Sequence, residues 1–241
     1  MAALAPSTPS PDHDNDTRMD TPVWITLALT LKVAGWATAI NLVLGVAVGW
    51  WLAHRRFIGR EFIDAVLTLP LVLPPTVMGY YLLVVIGKRG WLGHWLQESF
   101  GVNLIFSWQG AVIASTIVAF PLVLRSARTA FESVDPQLEK AARVLGLNEW
   151  AVFFRVTIPM AWPGILAGVL LVFARSLGEF GATLMVAGSI PGRTQTLSIA
   201  VYEAVQAGQD DTANFLVAIT SITCIVVLLA AGRLAPARRG L

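Results

Sequence analysis

The sequence predicts an all-α integral membrane protein of about five transmembrane helices, and three observations carry that expectation. Of its 241 residues 56% are hydrophobic before the 20 glycines are added, whereas a soluble domain reaches about 45–50% with glycine included. Charged residues make up only 13% of the chain, and the mean hydropathy is +0.67. The apolar residues fall into runs long enough to cross a bilayer, and the arginines gather at the ends of those runs. A soluble enzyme, a disordered chain and a nucleic-acid-binding domain all fit this balance poorly. The single cysteine, Cys224, excludes an internal disulfide and a cysteine-based metal cluster.

Residues 1–20 are rich in Pro, Asp and Ser and lack the basic start and apolar stretch of a secretory signal. They read as a disordered acidic tail outside the membrane, its His13 and neighbouring aspartates solvated rather than metal-binding. The membrane-spanning remainder covers residues 21–234, and residues 235–241 form a short tail. A helix crossing the hydrocarbon needs about 20 largely apolar residues. Five segments qualify: 23–53, 62–86, 107–124, 152–173 and 213–233. The first holds one charge, Lys32, expected at the interface or snorkelling toward headgroups. A further apolar stretch, 182–190, is too short to cross and suits a re-entrant segment covered by protein or a cavity.

Eleven of the seventeen basic residues fall on one side of these spans. Arg55, Arg56 and Arg60 follow the first span, Arg125, Arg128, Lys140, Arg143 and Arg155 lie between the third and fourth, and Arg233, Arg238 and Arg239 follow the fifth. The positive-inside rule makes that side cytoplasmic, with the N-terminus outside and the C-terminus inside, as an odd number of spans requires. Eight of the nine tryptophans flank spans, as an aromatic belt does. His54 and His94 read as interfacial residues and Cys224 as a small buried one.

The second span carries Pro70, Pro74 and Pro75 within six positions. Prolines remove backbone donors and clash with preceding carbonyls, so this helix must kink or break near its middle. Carbonyls freed there are costly in lipid unless protein or water satisfies them. Two readings follow, a packing kink or the lining of a pathway. Apart from Lys32 no charge lies in the middle of a span, so the carboxylate relays of ion-coupled transporters are missing.

The loop 131–159 has a design of its own. Asp135-Pro136 is an N-cap followed by proline at the first helical position. A helix is expected through residues 137–145, closed by Gly146. Leu138, Ala141, Ala142 and Leu145 share one face at i, i+3, i+4 and i+7, and small alanines at its centre let a partner surface come close.

Glu139-Lys140-Ala141-Ala142, then Gly146, then nine residues to Val156-Thr157-Ile158-Pro159, resembles the EAA loop of ATP-binding-cassette importer permeases. Lys140 stands where that pattern has its glutamate, with Glu139 one residue earlier. Two further stretches narrow the resemblance. Residues 174–183 with 190–197, and the proline-rich run 69–76, are similar to the molybdate permease family and its sulfate relatives. The resemblance implies a type I importer permease fold and a short cytoplasmic coupling helix docking on a separate ATPase through Glu139, Lys140, Ala141, Ala142, Gly146 and Pro159. It also implies a homodimer and an external oxyanion-binding protein, in a bacterial inner membrane. Molybdate is favoured over sulfate on length and span layout, with tungstate indistinguishable from it.

The three lysines, Lys32, Lys88 and Lys140, are followed by Val, Arg and Ala, so no P-loop Gly-Lys-Ser/Thr exists. No catalytic residue, metal site or cofactor is expected in this chain, ATP being bound by the partner subunit, and nucleic acid is not a partner. Pathway or gate residues are expected at Pro74, Pro75, Thr76, Ser176 and Thr183, near breaks in apolar sequence. Arg175 and Glu179, at i and i+4, admit an ion pair or a gate. An ATP-independent secondary transporter is the alternative.

Overall fold

A computed structural model describes residues 22–55 and 57–234. The expectations for the two tails and for Arg56 therefore lie outside the described residues. Eleven α-helices follow one another without a strand among the described residues: α1 (Val23–His54), α2 (Arg60–Val72), α3 (Pro75–Ile86), α4 (Trp91–Phe100), α5 (Trp108–Glu132), α6 (Pro136–Val144), α7 (Glu149–Val152), α8 (Ile158–Leu177), α9 (Gly181–Ala187), α10 (Leu197–Gln206) and α11 (Asp210–Leu234). A π-helical turn, Phe153–Thr157, joins α7 to α8.

The bundle is built on α5, the most buried of the long helices. It runs parallel to α1: Lys32 sits over the Trp108 ring at 3.7 Å, Asn41 Nδ2 donates to Thr116 O at 3.1 Å, and His54 meets the Phe131 ring at the far end. The lone charge of span one thus rests on an aromatic face. Along this seam small residues let the backbones approach, as they do where lipid removes any hydrophobic drive between helices. A Cβ on Gly45 would lie 2.4 Å from Val123, and one on Gly49 would lie 3.0 Å from Ala127. Antiparallel to α5 runs α8, with Gly164 against Ala130 and Gly168 against Ser126.

Because α1 and α5 point the same way, the chain must return to its starting end between them. Among the described residues four helices are individually long and apolar enough to cross a membrane, and the α2–α3 pair makes a fifth span when taken together. Antiparallel to α5, α2 climbs it through Arg60–Glu132 at 2.7 Å and Arg128–Asp64 at 2.9 Å. After the break, Leu82 and Ile86 of α3 pack with Ala114 and Val118 of α5. The pair therefore completes the return that the topology demands. It is not one kinked helix: the axes turn by 113° at Leu73-Pro74. Pro70 is accommodated inside α2, and Pro75 opens α3 at a position where no N–H is needed.

Several boundaries differ from the sequence reading. Span three continues to Glu132, so Arg125 and Arg128 lie on a helix rather than in a loop. Helix resumes at Glu149, well before Pro159, so the loop after α6 is only residues 145–148. The reason is the π-helical turn: Ile158 N–H bonds Phe153 O, one residue further back than usual, which lets Pro159 enter without a clash in the α-helical ladder. The short stretch after Glu179 is α9, a buried helix between α3 and α5. The start of α11, Ala213 and Leu216, packs with Val23 and Leu27, so α11 begins at the end where α1 begins.

Candidate coupling surface and translocation pathway

The end of the bundle where α1 and α5 finish is rich in arginine, and α6 hangs from it. Its start is set by Asp135, whose carboxylate accepts from Gln137 N–H at 2.8 Å, with Pro136 in the first turn. Its end is a Schellman closure: Leu147 N–H bonds Ala142 O at 3.1 Å, Gly146 N–H bonds Arg143 O at 3.0 Å, and Gly146 has φ +86°. Asn148 then caps α7 by accepting from Ala151 N–H at 2.8 Å. A nine-residue helix is marginal alone, and these caps hold it.

The faces of α6 do not divide as the apolar spacing predicts. Leu138, Lys140, Ala141, Val144 and Leu145 are exposed, whereas Glu139 and Ala142 are buried against the chain's own bundle. Ala142 is therefore corrected from the outward face to the inward one. The physical reason is that a helix sitting on a bundle must turn one strip inward, and here that strip holds the small Ala142 and the hydrogen-bonded Glu139. Of the two residues competing for the glutamate position, Lys140 points out and Glu139 points in. Thr157 Oγ1 donates to Glu139 Oε1 at 2.6 Å. Arg143 donates two hydrogen bonds to Glu149, at 2.7 and 3.1 Å. That pairing, ahead of the desolvation opposing it, holds the Arg143 guanidinium above its usual pKa. Pro159 lies in the first turn of α8, behind the loop rather than in it.

The expected pathway residues come together at two helix breaks that touch. A Cβ on Gly181 would lie 3.1 Å from Pro75 Cβ and 3.3 Å from Thr76 Cγ2, so the α2–α3 break lies against the start of α9. Deeper in α3, Gly79 allows Ala182 Cα to come within 3.0 Å of where its own Cβ would stand. Pro74 and Thr76 are exposed on the surface of this chain. Thr183 and Ser176 are buried, and Ser176 Oγ has no hydrogen-bond partner among the described residues. Arg175 and Glu179 form an ion pair at 2.8 Å. The other Glu179 oxygen accepts from Ala182 N–H at 3.0 Å, in the first turn of α9. Carboxylates are favoured at a helix N-terminus.

Sequence reasoning missed Thr157, whose hydroxyl is silent in a hydropathy plot, and His54 as a neighbour of the loop helix. It also missed a cleft of about 530 Å³ between α5 and α8, lined by Arg125, Ser126, Thr129 and Ser133 opposite Pro163 and Gly164. The signal was present: Arg125, Thr129 and Ser133 share one helical face at i, i+4 and i+8. Among the described residues no group of three His, Cys, Asp or Glu side chains gathers to hold a metal ion.

Apolar helices packed through small residues, a return span broken at its middle, and one capped helix hung from the basic end define a polytopic membrane protein. Residues 45–240 match the family described as "Binding-protein-dependent transport system inner membrane component". The chain belongs to that family, and is a multi-pass protein of the inner membrane. It is 45% identical over 208 residues to the "Molybdenum transport system permease protein ModB" of Escherichia coli (strain K12), covering 86% of this chain and 91% of that protein. It is 38% identical to the "Sulfate transport system permease protein CysW" of Synechocystis, over 84% of this chain and 73% of the other. Its fold is similar to a bacterial ABC transporter involved in the import of the acidic polysaccharide alginate, with a TM-score of 0.74 at 15% identity, over 90% of this chain and 80% of that one.

Proposed function

We propose that this chain is the membrane-spanning permease subunit of an ATP-driven importer that carries molybdate inward across the bacterial inner membrane. Its relative in Escherichia coli is named for molybdenum transport and matches it over nearly the whole length of both. The sulfate permease is less similar and covers less of its own chain. A separate ATPase subunit binds and hydrolyses ATP, an external binding protein delivers the oxyanion, and two copies of this chain enclose the path. The N-terminus lies outside and the C-terminus in the cytoplasm, in keeping with the arginine-rich end on which α6 sits.

The observation that carries the reading is the outward strip of α6. Leu138 is 45% exposed, Val144 87% and Leu145 83%, at a polar end of the molecule where lipid does not cover them. A short, doubly capped helix with large apolar side chains held outward suits insertion into the groove of a partner. Closure of the ATPase pair then moves α6, and the touching breaks at Thr76 and Gly181 are where a rigid bundle can yield. Pro74, Pro75, Thr76, Ser176 and Thr183 border the path there. The Arg175–Glu179 pair fixes the end of α8 to the start of α9.

Uptake of labelled molybdate into cells lacking their own transporter tests this, with the chain supplied alongside its ATPase and binding protein. Uptake is expected to need all three parts and to persist in excess sulfate. Loss of uptake in sulfate would move the substrate to sulfate, and uptake surviving deletion of the ATPase would overturn the importer reading.

A further inference from the structure

We propose that Glu139 is a positioning residue, a strut that ties the loop helix to two spans at once and so converts movement of α6 into movement of α1 and α8. This rests on the permease reading and adds to it how the stroke enters the membrane. Glu139 is only 8% exposed, although it sits on a short, otherwise exposed helix. Burying a carboxylate is costly unless partners satisfy it, and its hydrogen-bond donor comes from outside α6. Thr157, 1% exposed and the last residue of the π-helical turn, donates to Oε1 at 2.6 Å. His54, the last residue of α1, places Nε2 3.6 Å from the same oxygen. Its Nδ1–H donates to the Trp50 carbonyl at 3.0 Å, so Nε2 is the edge left to face the carboxylate, which it attracts in the imidazolium form. Arg143 of α6 itself approaches Oε2 at 3.6 Å while its main hydrogen bonds go to Glu149.

A leucine at position 139 would hold α6 to the bundle by packing alone. The carboxylate instead makes a directional link to the spot where the α8 ladder changes register. π-Helical turns can take up or release a residue and recur at functional sites, and this one has the strut attached to its final hydroxyl. Behind it a cavity of about 220 Å³, lined by Trp50, His54, Arg143, Glu149 and Phe153 among others, leaves room for the joint to shift. Pulling α6 therefore loads Thr157 and His54 together.

The test uses the full complex of permease, ATPase and binding protein in proteoliposomes. It measures three things: retention of the ATPase subunit, ATP hydrolysis, and molybdate moved per ATP. Glu139→Ala and the isosteric Thr157→Val are expected to keep the ATPase subunit bound and hydrolysing, while molybdate moved per ATP falls about tenfold, the scale of a typical coupling energy. Glu139→Gln, which can still accept from Thr157, is expected to fall between Glu139→Ala and the unaltered chain. Should Glu139→Ala fail to insert, Thr157→Val decides, because it removes only a hydroxyl. Release of the ATPase subunit by either variant, or an unchanged molybdate-to-ATP ratio in both, would overturn the strut. An unaltered complex that moves no molybdate on ATP would instead sink the permease reading itself.

Discussion

Gly181 packs directly on Thr76, with only 3.3 Å between the methyl carbon of Thr76 and the place a Gly181 side chain would begin. Two breaks far apart in sequence thus form one joint. The bend of 113° after Leu73 leaves the Pro75–Thr76 turn standing out from the α2 axis. The start of α9 can meet it because residue 181 has no side chain.

Gly181→Val should therefore force the joint apart. Overpacking a tight contact costs about 1–3 kcal/mol. The purified variant should unfold at lower temperature in detergent, and uptake should fall even where the protein inserts normally. Thr76→Ser, which removes the touched methyl and keeps the hydroxyl, should leave both nearly unchanged.

Arg175 should matter more to stability than its exposure suggests. The Glu179 side chain is 2% exposed and the Arg175 side chain 34%, so only the glutamate's surroundings are dry. Glu179→Ala removes the buried charge itself and leaves the Ala182 N–H unsatisfied, at about 1–3 kcal/mol. Arg175→Ala leaves the buried carboxylate without its counter-ion, at about 3–5 kcal/mol. Thermal unfolding of the two variants side by side should show the larger drop for Arg175→Ala. Proteoliposomes of Arg175→Ala that leak molybdate without ATP would favour the gate over simple pairing.

On α6 the two faces should separate docking from folding. Leu138→Glu and Leu145→Glu place charge on the outward strip and should release the ATPase subunit during purification while the permease stays folded. Ala142→Glu would bury a charge beneath the helix, because Ala142 is 6% exposed. It should destabilise the permease itself, by several kcal/mol for an unpaired buried charge. Protease accessibility of the loop, read together with co-purification, distinguishes the two.

Gly146 holds a left-handed conformation at φ +86° with open space where a side chain would stand. Gly146→Ala should thus cost only the conformational term, about 1 kcal/mol, and slow uptake modestly. Gly146→Pro also removes the N–H that bonds Arg143 O and cannot adopt a positive φ. It should abolish ATP-dependent uptake while the protein remains inserted.

Much of this architecture follows from local chemistry. The apolar runs fixed the positions of the spans, because lipid demands about 20 apolar residues per crossing whatever their neighbours. Pro70, Pro74 and Pro75 located the broken span, and Asp135-Pro136 with Gly146 located both ends of α6, because caps and prolines act through their own backbone. Hydropathy could not say which way each helix turns. The buried strip of α1 is marked by small and hydrogen-bonding residues rather than by apolarity: Thr26, Thr30, Ala34, Ala37, Asn41, Gly45 and Gly49 are buried while Trp24, Trp36 and Val43 face outward. In lipid, close approach rather than water exclusion selects the packed face.

Only the tertiary structure decided the contacts between distant positions. The sequence by itself determined a five-span bundle, a break at Pro74 and a capped helix between spans three and four. The folded chain determined that Glu139 points inward to Thr157 and His54, that Ala142 lies beneath its helix, and that Gly181 meets Thr76. Caps, prolines and hydrophobic length are properties of a few consecutive residues. The partner of a buried carboxylate or of a glycine is set by how whole helices cross, and no local pattern encodes that.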